Sequence, residues 1–172
     1  MLSVSLLVCA LLALSNAQSD DNISANETII APIGVEPIVK LAGTNCPLNW
    51  VLYQGRCFLF VPTQMHWAKA QENCLKQKGT LASIHNLDEY QFIQQLTTAE
   101  HLQTWVGGSD CQEEGLWFWI DSTHYDYNLW CPGQPDNSLD QCCLQINTGG
   151  GKCWDDVPCK SLNPSICVMP AN

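Results

Sequence analysis

The chain has 172 residues, with seven Lys and Arg against 17 Asp and Glu, for a net charge of −10. Too few cations are present to build a basic patch, so nucleic acid and anionic membrane are excluded as partners, while a cation is permitted. Eleven cysteines and seven tryptophans in one short chain point to a covalently braced, aromatic-cored domain.

At the start, an apolar run from Leu6 to Leu14 precedes the small residues Ser15-Asn16-Ala17. It is too short to span a bilayer and reads as a secretory signal over residues 1–17. Cys9 leaves with it, and the ten remaining cysteines are an even number in an exported chain, which favours disulfides over thiols or zinc. With no CxxC pair and four scattered histidines, a zinc ribbon or finger is not supported.

Residues 18–44 lack aromatics and cysteines and read as a flexible or removable arm. The arm carries two glycosylation sequons, at Asn22 and Asn26. A compact domain is expected over 45–170. Cys46 and Cys57 bracket an aromatic hairpin, and a first helix is expected after Pro62-Thr63. Its buried side would be Trp67, Ala70, Cys74 and Leu75, with Gly79 beyond its end. A second helix should begin at Asn86, with Glu89 as capping-box partner and Leu87, Tyr90, Ile93 and Leu96 turned inward.

Beyond residue 100 the pattern changes to short strands: Thr104–Val106, Leu116–Ile120, Cys142–Ile146, Cys153–Val157 and Ser165–Met169. Two helices followed by strands indicate an α+β domain. The long connection from Asp121 to Asp140 is cysteine-bearing, which favours a functional loop over a disordered one. No GxSxG, HExxH or phosphate loop is present, so an enzyme is not expected. Six tryptophans fall in predicted elements; Trp130, beside the loop, is the one left for a surface role.

In order and spacing, Cys46/Cys57, Cys74, Ala82-Ser83-Ile84-His85, Trp105-Val106-Gly107-Gly108, Gln134-Pro135-Asp136, Trp154-Asp155-Asp156 and Cys167 resemble the C-type lectin-like domain. The ten-cysteine arrangement is most similar to the family's fish type II antifreeze branch. The resemblance implies two helices flanking small antiparallel sheets, with a disulfide-braced loop region. It also implies the pairs Cys46–Cys57, Cys74–Cys167, Cys111–Cys142, Cys131–Cys153 and Cys143–Cys159.

Carried over position by position, the resemblance implies calcium ligands at Gln134, Asp136, Gln141, Asp155 and Asp156. Gln141 stands where the family has Glu, and Asp155 where it has Asn, so three carboxylates are retained. A QPD motif implies galactose-type glycans, with Ser138 and Asp140 completing the ligand surface. The first expectation is a secreted, calcium-assisted, galactose-type lectin-like protein. Ice binding through the same loop ranks close behind, because Ser138 and the charged Asp140 occupy positions where the calcium-dependent antifreeze members carry threonines. Sequence leaves the oligomeric state open.

Overall fold

The computed structural model describes residues 46–97, 102–138 and 140–172. The expected signal, the arm with Asn22 and Asn26, and Leu139 lie outside the described residues. In chain order the elements are β1 (Val51–Tyr53), β2 (Arg56–Met65), α1 (Trp67–Lys76), β3 (Thr80–Leu81), α2 (Leu87–Leu96), β4 (Thr104–Ser109), β5 (Phe118–Trp119), β6 (Gln141–Thr148), β7 (Cys153–Pro158) and β8 (Asn163–Pro170). They form one sheet ordered β1-β2-β8-β4-β6-β7, with β3 added to β8 and β5 to β4. All pairings are antiparallel except β4–β8.

Successive residues of a strand face opposite sides, and here both sides are covered. Along β4, Trp105 joins one core with Ala70, Cys74 and Leu81, whereas Val106 joins the other with Tyr90, Ile93 and Trp154. Ile166 and Cys167 of β8 divide in the same way. The first helix therefore lies on one core and the second on the other. Every residue of β4 is buried, which explains its glycine pair: a Cβ on Gly107 would stand 2.7 Å from the Leu81 carbonyl oxygen and 2.8 Å from Ile120 Cγ2.

Both helices start near their expected positions. The first begins only at Trp67, because β2 continues through Pro62 and Thr63. Leu75, placed on its buried side by spacing, is exposed, as is Leu87, which sits in the first turn of α2. Asn86 caps that helix by accepting from the Glu89 backbone N–H at 2.8 Å. The Glu89 carboxylate accepts from the His85 N–H at 2.8 Å and pairs with Arg56 at 2.7 Å, so the capping group also ties α2 to β2. The expected strand Leu116–Ile120 contracts to Phe118–Trp119, while the other predicted strands lengthen by one or more residues.

Five disulfides join the pairs the resemblance implied. Cys74–Cys167 bridges 93 positions and fastens α1 to β8. Closing so long a loop stabilises the fold by roughly 4–5 kcal/mol in the chain-entropy account. The other three long-range bonds all lie around the segment between β5 and β7. No helix among the described residues is long and apolar enough to cross a membrane. Gly107→Ala should lower unfolding free energy by about 1–3 kcal/mol, because backbone rather than a flexible side chain blocks the new methyl. Guanidinium denaturation measures this, and an unchanged midpoint would contradict the close β3–β4 approach.

Candidate functional site

The loop 129–138 is laid along β7 by several bonds. Trp154 donates its backbone N–H to Leu129 at 2.8 Å and accepts from Cys131 at 2.9 Å, and Cys131–Cys153 adds a covalent tie. Two residues on, Asp156 is fully buried. Its carboxylate accepts from the backbone N–H groups of Asp136 (3.0 Å) and Asn137 (2.9 Å). The QPD segment is thus held from below by Asp156, and the Gln134–Pro135 peptide is cis.

Asp136 Oδ1 accepts from the Ser138 N–H at 3.0 Å, closing a tight turn. The Gln141 amide faces Asp136 Oδ1 and the Asp156 carbonyl. With its nitrogen inward it would donate to them at 3.1 and 2.5 Å, and with its oxygen inward it would add a further acceptor to the pair, as a cation ligand does. Asp155 Oδ2 accepts from Gln145 Nε2 at 3.3 Å, and Gln145 Oε1 accepts from buried Asn163 at 3.0 Å. Burial raises the Asp155 pKa above the ordinary carboxylate value; the Gln145 hydrogen bond opposes this, and the charges of Asp156 and Asp136 add to it.

Three buried oxygens in this loop region have no hydrogen-bond partner: Gln134 Oε1, Asn137 Oδ1 and Asp155 Oδ1. Unpaired buried acceptors are costly, and a set containing oxygens alone suits a hard cation such as calcium. Gln134 and Asp155, with Asp136 and Gln141 beside them, are the residues that could hold an ion, whereas both carboxylate oxygens of Asp156 are already engaged by the loop backbone. Ser138 and Asp140 are exposed at the loop tip.

Sequence reasoning missed two features. Asp110, only 2% exposed, lines a cavity of about 240 Å³ with Glu114, Asn137, Asp140 and Gln141. Its Oδ1 is unpartnered while Oδ2 accepts from Gly115. Burial raises its pKa. The Ser-Asp that ends β4 was the available signal, but nothing in the local sequence brings it beside the QPD loop. Secondly, four of the tryptophans, Trp117, Trp119, Trp130 and Trp154, form one continuous aromatic cluster. Trp154 meets Tyr90, Trp119 and Tyr127 with ring centroids 5.6–5.9 Å apart, and Trp130 at 6.2 Å. Trp130 also packs on Trp117 at 4.8 Å. Trp130 is half-buried, its expected surface role replaced in part by this packing.

Residues 63–169 match the Lectin C-type domain family. A type-2 ice-structuring protein of Osmerus mordax is 48% identical over 96% of this chain and 91% of its own length. A lactose-binding lectin of Anguilla japonica is 40% identical over 77% of this chain and 82% of its own. Among solved structures, a Ca2+-dependent type II antifreeze protein in its Ca2+-free form superposes with TM-score 0.71 at 52% identity, covering 72% of this chain and 99% of that one. A calcium-independent type II antifreeze protein gives 0.69 at 42%, covering 74% and 95%.

Replacing Asp156 with Ala should lower stability by about 1.5–3 kcal/mol, since two backbone donors lose a charged acceptor. Hydrogen exchange at the Asp136 and Asn137 amides should accelerate beyond the global effect. Unchanged exchange there would contradict the clamp.

Proposed function

The chain belongs to the C-type lectin domain family, and we propose that within it this protein is a secreted ice-binding protein rather than an enzyme. The carrying observation is the level of identity: an ice-structuring protein is 48% identical over 96% of the chain, whereas a ladderlectin of Oncorhynchus mykiss matched over the same share is 35% identical and the lactose-binding lectin is 40% identical over a shorter part. This reverses the order expected from Ser138 and Asp140. Two features of the fold support it. Ice recognition needs a surface that does not deform, and three disulfides brace the loops around the candidate site. Five disulfides also suit an oxidising, extracellular compartment.

Calcium belongs to this reading as a structural ion. Bound calcium supplies positive charge that offsets the carboxylates of the loop. Gln134, Asp136 and Asp155 would hold it, with Asp156 keeping the loop in place. Galactose-type sugar binding is a second reading, favoured by the QPD segment itself and by the unpartnered Gln134 oxygen. In that reading Gln141 can donate where the family's Glu only accepts, which changes the pattern presented to sugar hydroxyls.

Purified protein at millimolar concentration should show thermal hysteresis and faceted ice crystals. Round, unshaped crystals, together with retention on galactose resin that a chelator releases, would establish the sugar reading instead. In calorimetric titration Asp136→Asn should weaken calcium binding by roughly tenfold or more, because affinity follows carboxylate number. An identical isotherm would remove Asp136 from the ligand set.

A further inference from the structure

We propose that ice is bound by the outward face of the segment Leu116–Thr123, which carries Leu116, Phe118 and Ile120, rather than by the charged tip of the QPD loop. The inference rests on the ice-binding reading and names its site.

From 116 to 120 the chain alternates strictly. Trp117 and Trp119 are buried in the core, while Leu116, Phe118 and Ile120 are 48%, 46% and 38% exposed. A half-buried strand ordinarily turns polar residues outward. Here both faces are apolar, and the inward tryptophans already account for the segment's packing. Within the outward row Ile120 packs against Gly107, whereas Leu116 and Phe118 contribute little to the fold that polar residues would not. Its side chains recur every two residues, about 6.5 Å apart in extended chain.

The row adjoins two shallow surfaces that share Phe118, Ser122 and Thr123, and neither is lined by any Asp, Glu, Lys or Arg. Of the nearby carboxylates, Asp121 accepts from Ser83 at 2.5 Å and from the Thr123 hydroxyl at 2.6 Å, while the exposed Glu113 and Glu114 stand in the turn before the row and line neither surface. One of the two surfaces reaches Pro135, so the face continues to the base of the QPD loop.

Neutrality is what an ice lattice demands. A charged group holds its own water tightly and opposes its replacement by lattice water. Apolar groups restrict the orientation of first-shell water without binding it strongly, and neighbouring hydroxyls can join a water lattice as donor and acceptor. The exposed Asp136 and Asp140 at the loop tip lack this property; the β5 face has it. The face is also stiff. β5 pairs with β4, Ile120 donates its N–H to Gly107 at 2.9 Å, and Cys111–Cys142 closes the turn that precedes the row.

The test compares thermal hysteresis of the whole secreted protein with that of Leu116→Glu and Phe118→Glu. Leu48→Glu, which adds the same charge at an 89% exposed leucine outside both surfaces, is the control. Near-UV circular dichroism and melting temperature establish that each variant is folded. Either face variant should lose hysteresis roughly fivefold or more, since a carboxylate retains its hydration shell; the control should not. Should the glutamate variants misfold, Phe118→Ser and Leu116→Ser serve, with a smaller loss in the same direction. Wild-type protein without hysteresis overturns the ice reading and this site together. Wild-type hysteresis that survives in folded face variants overturns the site alone. Sedimentation that shows the face variants dissociating a dimer, with hysteresis intact, assigns the face to a second copy of the chain and likewise overturns it.

Discussion

The arrangement of the functional loops depends on one buried carboxylate. Asp156 has no exposed surface and accepts from two consecutive backbone N–H groups of the loop that crosses above it. A buried anion is tolerable only when its oxygens are hydrogen bonded, and a buried backbone donor only when it has an acceptor. Each requirement here satisfies the other, so the QPD segment has one position rather than several. Trp154, two residues earlier in β7, sets that position from beneath, since its ring is surrounded by four others and its backbone carries the ladder to Leu129 and Cys131.

The rest of the fold makes β7 a fixed reference. Both faces of the sheet are covered, with alternate residues of β4 and β8 entering separate cores. Movement of a strand would therefore disturb packing on two sides at once. Cys74–Cys167 holds the helical side to β8, and the remaining long-range disulfides hold the loops to β6 and β7. Surface loops are ordinarily the mobile part of a domain; here they are cross-linked on a platform.

This construction separates two chemistries that adjoin at Pro135. On the loop, oxygens of Gln134, Asn137 and Asp155 are buried without donors, which is the feature that supports the proposed cation. Beside it, β5 turns its tryptophans into the core and an uncharged apolar row into solvent. A cation that offsets the loop charge and a neutral face next to it are compatible roles. The first concerns the electrostatics of the loop, the second the water at its flank.

Much of this was legible in the residues alone. Periodicity located both helices, the Asn86 cap and most strands, because those depend on neighbours a few positions apart. The order of the cysteines and short motifs identified the family, and with it five disulfide pairs that spacing could not have chosen. Sequence spacing erred where an element end decides exposure, as at Leu75 and Leu87, and where a strand outruns its turn signal, as β2 does through Pro62. The tertiary structure alone decided that Asp156 is a buried clamp, that the Gln141 amide faces Asp136, and that Asp110 lies beside Asn137 and Gln141. It alone decided, too, which side of the 116–120 alternation faces water: with apolar residues at every position, the pattern reveals a strand but not its inner face. These facts turn on contacts between segments distant in sequence, and only the packed chain brings those segments together.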